Sequence, residues 1–122
     1  MKIEKLVKNK GLKLTNARVE ILEKLSNATK PLSYDEIKDD ISMDKATFYR
    51  NIAKFEEKML INSFESNDKK RYFEVNYLPH PHFICSHCNK IECIKEPLNF
   101  SLSGYTIENI ILKGICKKCN QM

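Results

Sequence analysis

The chain has 122 residues, enough for one domain or two very small ones. At 42% hydrophobic and 30% charged residues it has the balance of a folded chain, and its formal charge of +5 permits a polyanionic partner without requiring one. The longest apolar runs, such as Ile110-Ile111-Leu112, are too short to span a bilayer, and Met1-Lys2-Ile3-Glu4-Lys5 lacks the apolar centre of a secretion signal, so a cytoplasmic protein without membrane contact is expected.

Residues 1–60 read as helical. Ala17, Ile21, Leu22 and Leu25 recur on one helix face, with Thr15 placed to cap its start. Pro31 marks a break. Ser33-Tyr34-Asp35-Glu36 then fits a capping box, with Ile37 and Ile41 on the buried side of a second helix. A third helix is predicted from Asp44, where Phe48, Ile52, Phe55 and Met59 form one stripe. Ile61–Glu65 and Arg71–Val75 flank the turn-forming Ser66-Asn67-Asp68-Lys69-Lys70 and predict a β-hairpin. Three helices followed by a hairpin is the order of a winged helix-turn-helix. Beyond Tyr77 the chain reads as short strands and turns around cysteines, with Ile91–Ile94 and Tyr105–Leu112 as strand candidates.

All five cysteines, Cys85, Cys88, Cys93, Cys116 and Cys119, lie in the second half. An odd count argues against a disulfide framework, whereas two CxxC pairs suit a metal. Two residues between thiols let one tight turn present both sulfurs to one ion, and Cys85, Cys88, Cys116 and Cys119 together complete a tetrahedron. Four soft ligands leave no open position, so this predicts a structural zinc. Bound as thiolates they would add about two net negative charges, which reduces the basic excess further. A redox CxxC needs only one pair. His87 reads as a polar spacer. Cys93 reads as a small apolar strand residue needing no function, redox sensing being the other reading.

Opposite the stripe of the third helix stand Lys45, Ala46, Tyr49, Arg50 and Ala53. Small residues beside Tyr and Arg suit a helix entering a major groove, because Arg can pair with guanine or phosphate and Tyr can meet phosphate or a thymine methyl. A solvated helix face with an exposed Tyr would look the same.

Several motifs now stand in a familiar order: Gly11-Leu12-Lys13-Leu14-Thr15 with Arg18 and Ile21-Leu22; Ala46-Thr47-Phe48-Tyr49-Arg50-Asn51-Ile52; Arg71-Tyr72-Phe73-Glu74; His80-Pro81-His82-Phe83-Ile84-Cys85 with Cys88; and Gly114-Ile115-Cys116 with Cys119. Over nearly its full length the chain resembles the Fur family of bacterial metal- or peroxide-responsive repressors, whose signature usually has Val where Phe48 stands. The resemblance implies an α+β fold: a winged-helix DNA-binding domain over 1–77, then a small α/β dimerisation domain with the four-cysteine zinc site over 78–122. It implies a homodimer on a pseudo-palindromic double-stranded operator, with Tyr49 and Arg50 facing the DNA and Lys13 and Arg18 near it. It also implies a second, regulatory site for iron, zinc or manganese, to which Glu74, His80 and His82 correspond. That site is thinned. Pro31-Leu32 replace a customary histidine, and the short Gly104–Gly114 segment lacks another, leaving Glu108 and Asn109.

The functional expectation is therefore a metal-responsive repressor with a structural zinc. The alternatives are a DNA-binding regulator using zinc only for folding and a zinc-ribbon protein-interaction module. No nucleophile–base pair, phosphate loop or open metal site suggests an enzyme.

Overall fold

The computed structural model describes residues 3–75, 81–94, 102–107 and 109–121. The fold is α+β: helices and a first sheet come first, and a second small sheet carries the cysteines.

Helix α1 spans Ile3–Asn9 and buries Ile3 and Val7. Helix α2, Asn16–Ser26, is capped as its sequence suggests, the Thr15 side chain accepting from the Arg18 amide at 3.2 Å, and buries Ile21, Leu22 and Leu25. The predicted capping box is also present: the Glu36 amide donates to Ser33 Oγ (3.3 Å) and the Ser33 amide to Glu36 Oε1 (2.9 Å). The helix it starts, α3, is only Tyr34–Ile37, and it tightens into a 3-10 turn over Lys38–Asp40. Ile41 is buried as expected but from extended backbone. Just before α3, Leu32–Ser33 forms strand β1, which the sequence did not announce.

Helix α4, Lys45–Glu57, starts at Asp44, whose carboxylate accepts from the Thr47 amide at 2.8 Å. Phe48, Ile52 and Phe55 are fully buried, but Met59 departs from the expected stripe and is 58% exposed. The helix has ended by then. Met59 is left-handed (φ 60°), its amide donates to Glu56 O at 3.0 Å, and the Leu60 amide reaches back to Phe55 O at 2.8 Å. This double closure of the helix end turns Met59 outward and puts Leu60 in the core instead.

The hairpin forms as predicted from strands β2 (Ile61–Glu65) and β3 (Arg71–Val75), joined in the register Ile61↔Val75 to Glu65↔Arg71. Strand β1 pairs on the other edge of β3, giving an antiparallel sheet of order β1-β3-β2. Helices α1, α2 and α4 pack with Phe73 and Val75 of this sheet into one core.

The second sheet has β4 (His82–Cys85) at its centre, antiparallel to β5 (Ile91–Cys93) and parallel to β6 (Ile111–Gly114). The expected strand over Tyr105–Leu112 is displaced: the described residues 105–107, 109 and 110 are not strand, and pairing begins at Ile111. The pairing follows position rather than apolar content, since β6 must run beside β4 to bring Gly114 opposite Cys85.

Candidate metal centre and nucleic-acid interface

The cysteine site is assembled by that central strand. Cys85 ends β4, and the next three residues turn; Asn89, left-handed at φ 62°, donates to Cys85 O at 2.8 Å. Gly114 sits across from Cys85 and takes two donors from Ser86, the amide at 2.7 Å and the hydroxyl at 3.0 Å. A Cβ at Gly114 would lie 3.4 Å from the Phe83 ring, an ordinary van der Waals contact. The parallel pairing of β4 with β6 brings the second CxxC alongside the first. A short helix α5, Lys117–Asn120, starts on Cys116, whose sulfur accepts from the Cys119 amide at 3.5 Å.

The sulfurs of Cys85, Cys88, Cys116 and Cys119 lie within 4.8 Å of one another, with Cys88 and Cys116 at 3.9 Å. A zinc–sulfur bond of about 2.3 Å gives tetrahedral sulfur separations of about 3.8 Å, and a disulfide would need about 2.05 Å. The donor set therefore fits a zinc ion. Amides of His87, Cys88 and Cys116 each point at Cys85 Sγ at 3.4 Å. Donation from Cys88 and Cys116 leads in pulling the Cys85 thiol down to about 6, the direction a thiolate ligand needs. His87 is exposed in the turn, as a spacer should be.

A second cluster lies where the two sheets meet. His82, expected on a link, is instead the first residue of β4 and fully buried. Its Nε2 is 3.0 Å from Glu74 Oε1 on β3, and its ring lies 5.0 Å from that of Phe64 on β2. Asn109 adds to the junction, its Nδ2 donating to Ser63 O at 3.0 Å. His80 and Glu108 lie outside the described residues. Cys93, which sequence reasoning set aside, joins Glu74 and His82: the ligand atoms of all three lie within 4.8 Å of one another.

On α4, Lys45, Ala46, Arg50 and Ala53 are exposed as expected. Tyr49 beside them is half-buried, with its ring 5.1 Å from Phe48, 5.8 Å from Tyr34 and 6.1 Å from Phe73, and burial raises its phenol above the usual range. The Lys45 ammonium lies over the Tyr34 and Tyr49 rings at 5.6 and 6.0 Å. Lys13 is exposed, whereas Arg18 is half-buried in a network: its Nε donates to Asn51 Oδ1 at 3.0 Å and its Nη1 to Lys13 O at 2.7 Å. Arg18 thus braces the start of α2 against α4 and holds the Lys13 backbone. Sequence reasoning also missed an open cleft of about 250 Å³ between α4 and the hairpin, lined in part by Lys45, Lys69, Lys70 and Arg71. The run Lys69-Lys70-Arg71 was its signal, but it read as the end of a turn and the start of a strand. Lys70 is 3.0 Å from Asp35, and that hydrogen bond leads in holding the Asp35 carboxyl below the usual range.

Residues 9–112 match the Ferric uptake regulator family. The chain belongs to this family. It is 30% identical, over 98% of its length and 87% of the relative's, to the ferric uptake regulation protein of Campylobacter upsaliensis. It is 27% identical, over 94% and 89%, to the peroxide operon regulator of Bacillus subtilis strain 168. Among solved structures, the Helicobacter pylori ferric uptake regulator Fur, described as having three functional metal binding sites, shares the fold with a TM-score of 0.74 at 23% identity, covering 98% of this chain and 89% of that one. The Pseudomonas aeruginosa ferric uptake regulator, solved with manganese, gives 0.73 at 22% identity, covering 96% and 99%. The Ferric uptake regulator family is one of regulators, not enzymes. No described helix is long and apolar enough to cross a membrane.

Proposed function

We propose that the chain is a metal-responsive transcriptional repressor that binds a double-stranded operator as a homodimer. Residues 1–77 form its winged-helix reader and residues 78–122 its zinc-containing dimerisation domain. Cys85, Cys88, Cys116 and Cys119 hold a structural zinc, which supplies cross-linking of the two turns. Glu74, His80 and His82 contribute to a regulatory divalent-metal site. In a chain of this family, the observation that carries the reading is the 3.0 Å approach of His82 to Glu74, because it ties the hairpin strand to the sheet that ends in the cysteine turns. A divalent cation bridging those residues would favour one arrangement of reader and dimerisation domain over others, which is how a ligand shifts an equilibrium.

Arg50 and Tyr49 on α4 read or position the DNA, Lys13 meets phosphate, and Arg18 acts through the brace to Asn51 and Lys13. Lys69 and Lys70 on the hairpin add positive charge beside the reader. Against an operator selected from random duplexes, Arg50→Ala should weaken specific binding by about 1–3 kcal/mol if it makes a bidentate base contact. Lys13→Ala should weaken all sequences alike and lower the salt slope by about one. Fluorescence anisotropy at several salt concentrations separates the two. Equal affinity of wild type and Arg50→Ala for that operator would remove α4 from the groove.

A further inference from the structure

The register of the second sheet places Cys93 directly opposite His82. Directly paired residues on antiparallel strands project to the same face of the sheet, so the thiol and the imidazole face the same side, and Glu74 approaches that side from β3. The result is a three-donor cluster with one sulfur, one nitrogen and one oxygen, drawn from three strands and two sheets. His82 is fully buried, and Glu74 and Cys93 are half-buried. We infer that Cys93 is a ligand of the regulatory metal site and makes that site selective for a thiophilic divalent ion of the zinc type over manganese.

The inference rests on the reading of Glu74 and His82 as a regulatory metal site and adds to it the identity of a ligand and the class of ion. The selectivity follows from donor chemistry. A thiolate is soft and favours zinc-like ions, whereas carboxylate and water suit manganese and magnesium. Had an Asp or Glu stood at 93, the cluster would offer two hard oxygens and one imidazole, a set that discriminates poorly among first-row divalent ions. Cys93 and the four turn cysteines thus have separate tasks in one small sheet: four sulfurs hold an ion for folding, and the fifth belongs to the ion that changes.

The test uses full-length protein carrying one zinc per chain, titrated with cobalt(II) as the probe while the retained zinc is counted. The expected result is a second equivalent of metal whose near-ultraviolet spectrum has a sulfur-to-cobalt charge-transfer band. Cys93→Ser should lose that band while cobalt's visible transitions from the remaining ligands persist. Competition should show zinc displacing the cobalt and manganese failing to do so. Cys93→Asp, which keeps a ligand, should bind the second equivalent without the band and narrow the preference for zinc over manganese by at least about tenfold, since even groups that merely support ligands change affinity by roughly 10–100-fold. A second equivalent bound by wild type without a charge-transfer band, or with one that survives Cys93→Ser, would overturn the role of Cys93 and leave the regulatory site standing. Uptake of no second equivalent by wild type would overturn both.

Discussion

Cys116→Ser should hold less than one zinc per chain and lose the native second sheet. Cys116 does three things at once: its sulfur belongs to the four-cysteine cluster, its amide donates to Cys85 Sγ, and it caps α5 through the Cys119 amide. The sheet it serves is small. Among the described residues from 81 onward only Pro81, His82, Ile84, Cys85 and Cys116 are buried, little apolar burial for this part to stand on without help. Structural zinc contributes on the order of 10 kcal/mol of apparent binding energy in small folds, comparable with the ~5–15 kcal/mol that keeps a whole domain folded. Hydrogen exchange would show amides of β4, β5 and β6 exposed in the variant while the core of α2, α4 and β3 stays protected. Complete removal of zinc from wild type should give the same pattern. Native protection of β4 after zinc removal would contradict a structural role for the ion.

Phe48→Ala should destabilise the first sheet and its helices by about 3–5 kcal/mol. Phe48 is fully buried, and its ring lies 5.0 Å from Tyr34, 5.1 Å from Tyr49 and 5.6 Å from Phe73. The aromatic group joins α3, α4 and β3, so the loss is both of apolar burial and of edge contacts worth roughly 0.5–1.5 kcal/mol each. Tyr49 rests on the same rings, and its loss of support should also weaken operator binding beyond what instability explains. Urea unfolding gives the first effect, and anisotropy on the remaining folded fraction gives the second. A cost below about 1 kcal/mol would mean that α4 is not held by this cluster.

The elements that the sequence announced are those set by neighbours along the chain. Thr15, Ser33 and Asp44 each cap a helix by bonding an amide three residues on, and the hairpin strands match their predicted ends. The paired CxxC spacing likewise carried the cysteine site. What stayed hidden depends on long-range pairing. Met59 fitted the helical stripe, but the chain had already turned left-handed there. His80-Pro81-His82 reads as a link, yet His82 begins the central strand of the second sheet. Leu32–Ser33 is too short to show any alternation and becomes a strand only because β3 offers an open edge. Cys93 comes together with Glu74 and His82 through a strand register that no local pattern encodes. Arg18 reads as a surface cation until Asn51, thirty-three residues on, comes within 3.0 Å.

The central claim is that a second metal controls DNA binding through the junction of the two sheets. Its most direct test is the affinity of zinc-replete protein for a selected operator, measured with and without added divalent iron, zinc or manganese, in wild type and in a His80→Ala, His82→Ala double variant. Added metal should tighten wild-type binding by a factor within the roughly 5–150-fold range of allosteric coupling, and the double variant should show no such response. Equal wild-type affinity with and without every metal, or an unchanged metal response in the double variant, would contradict it.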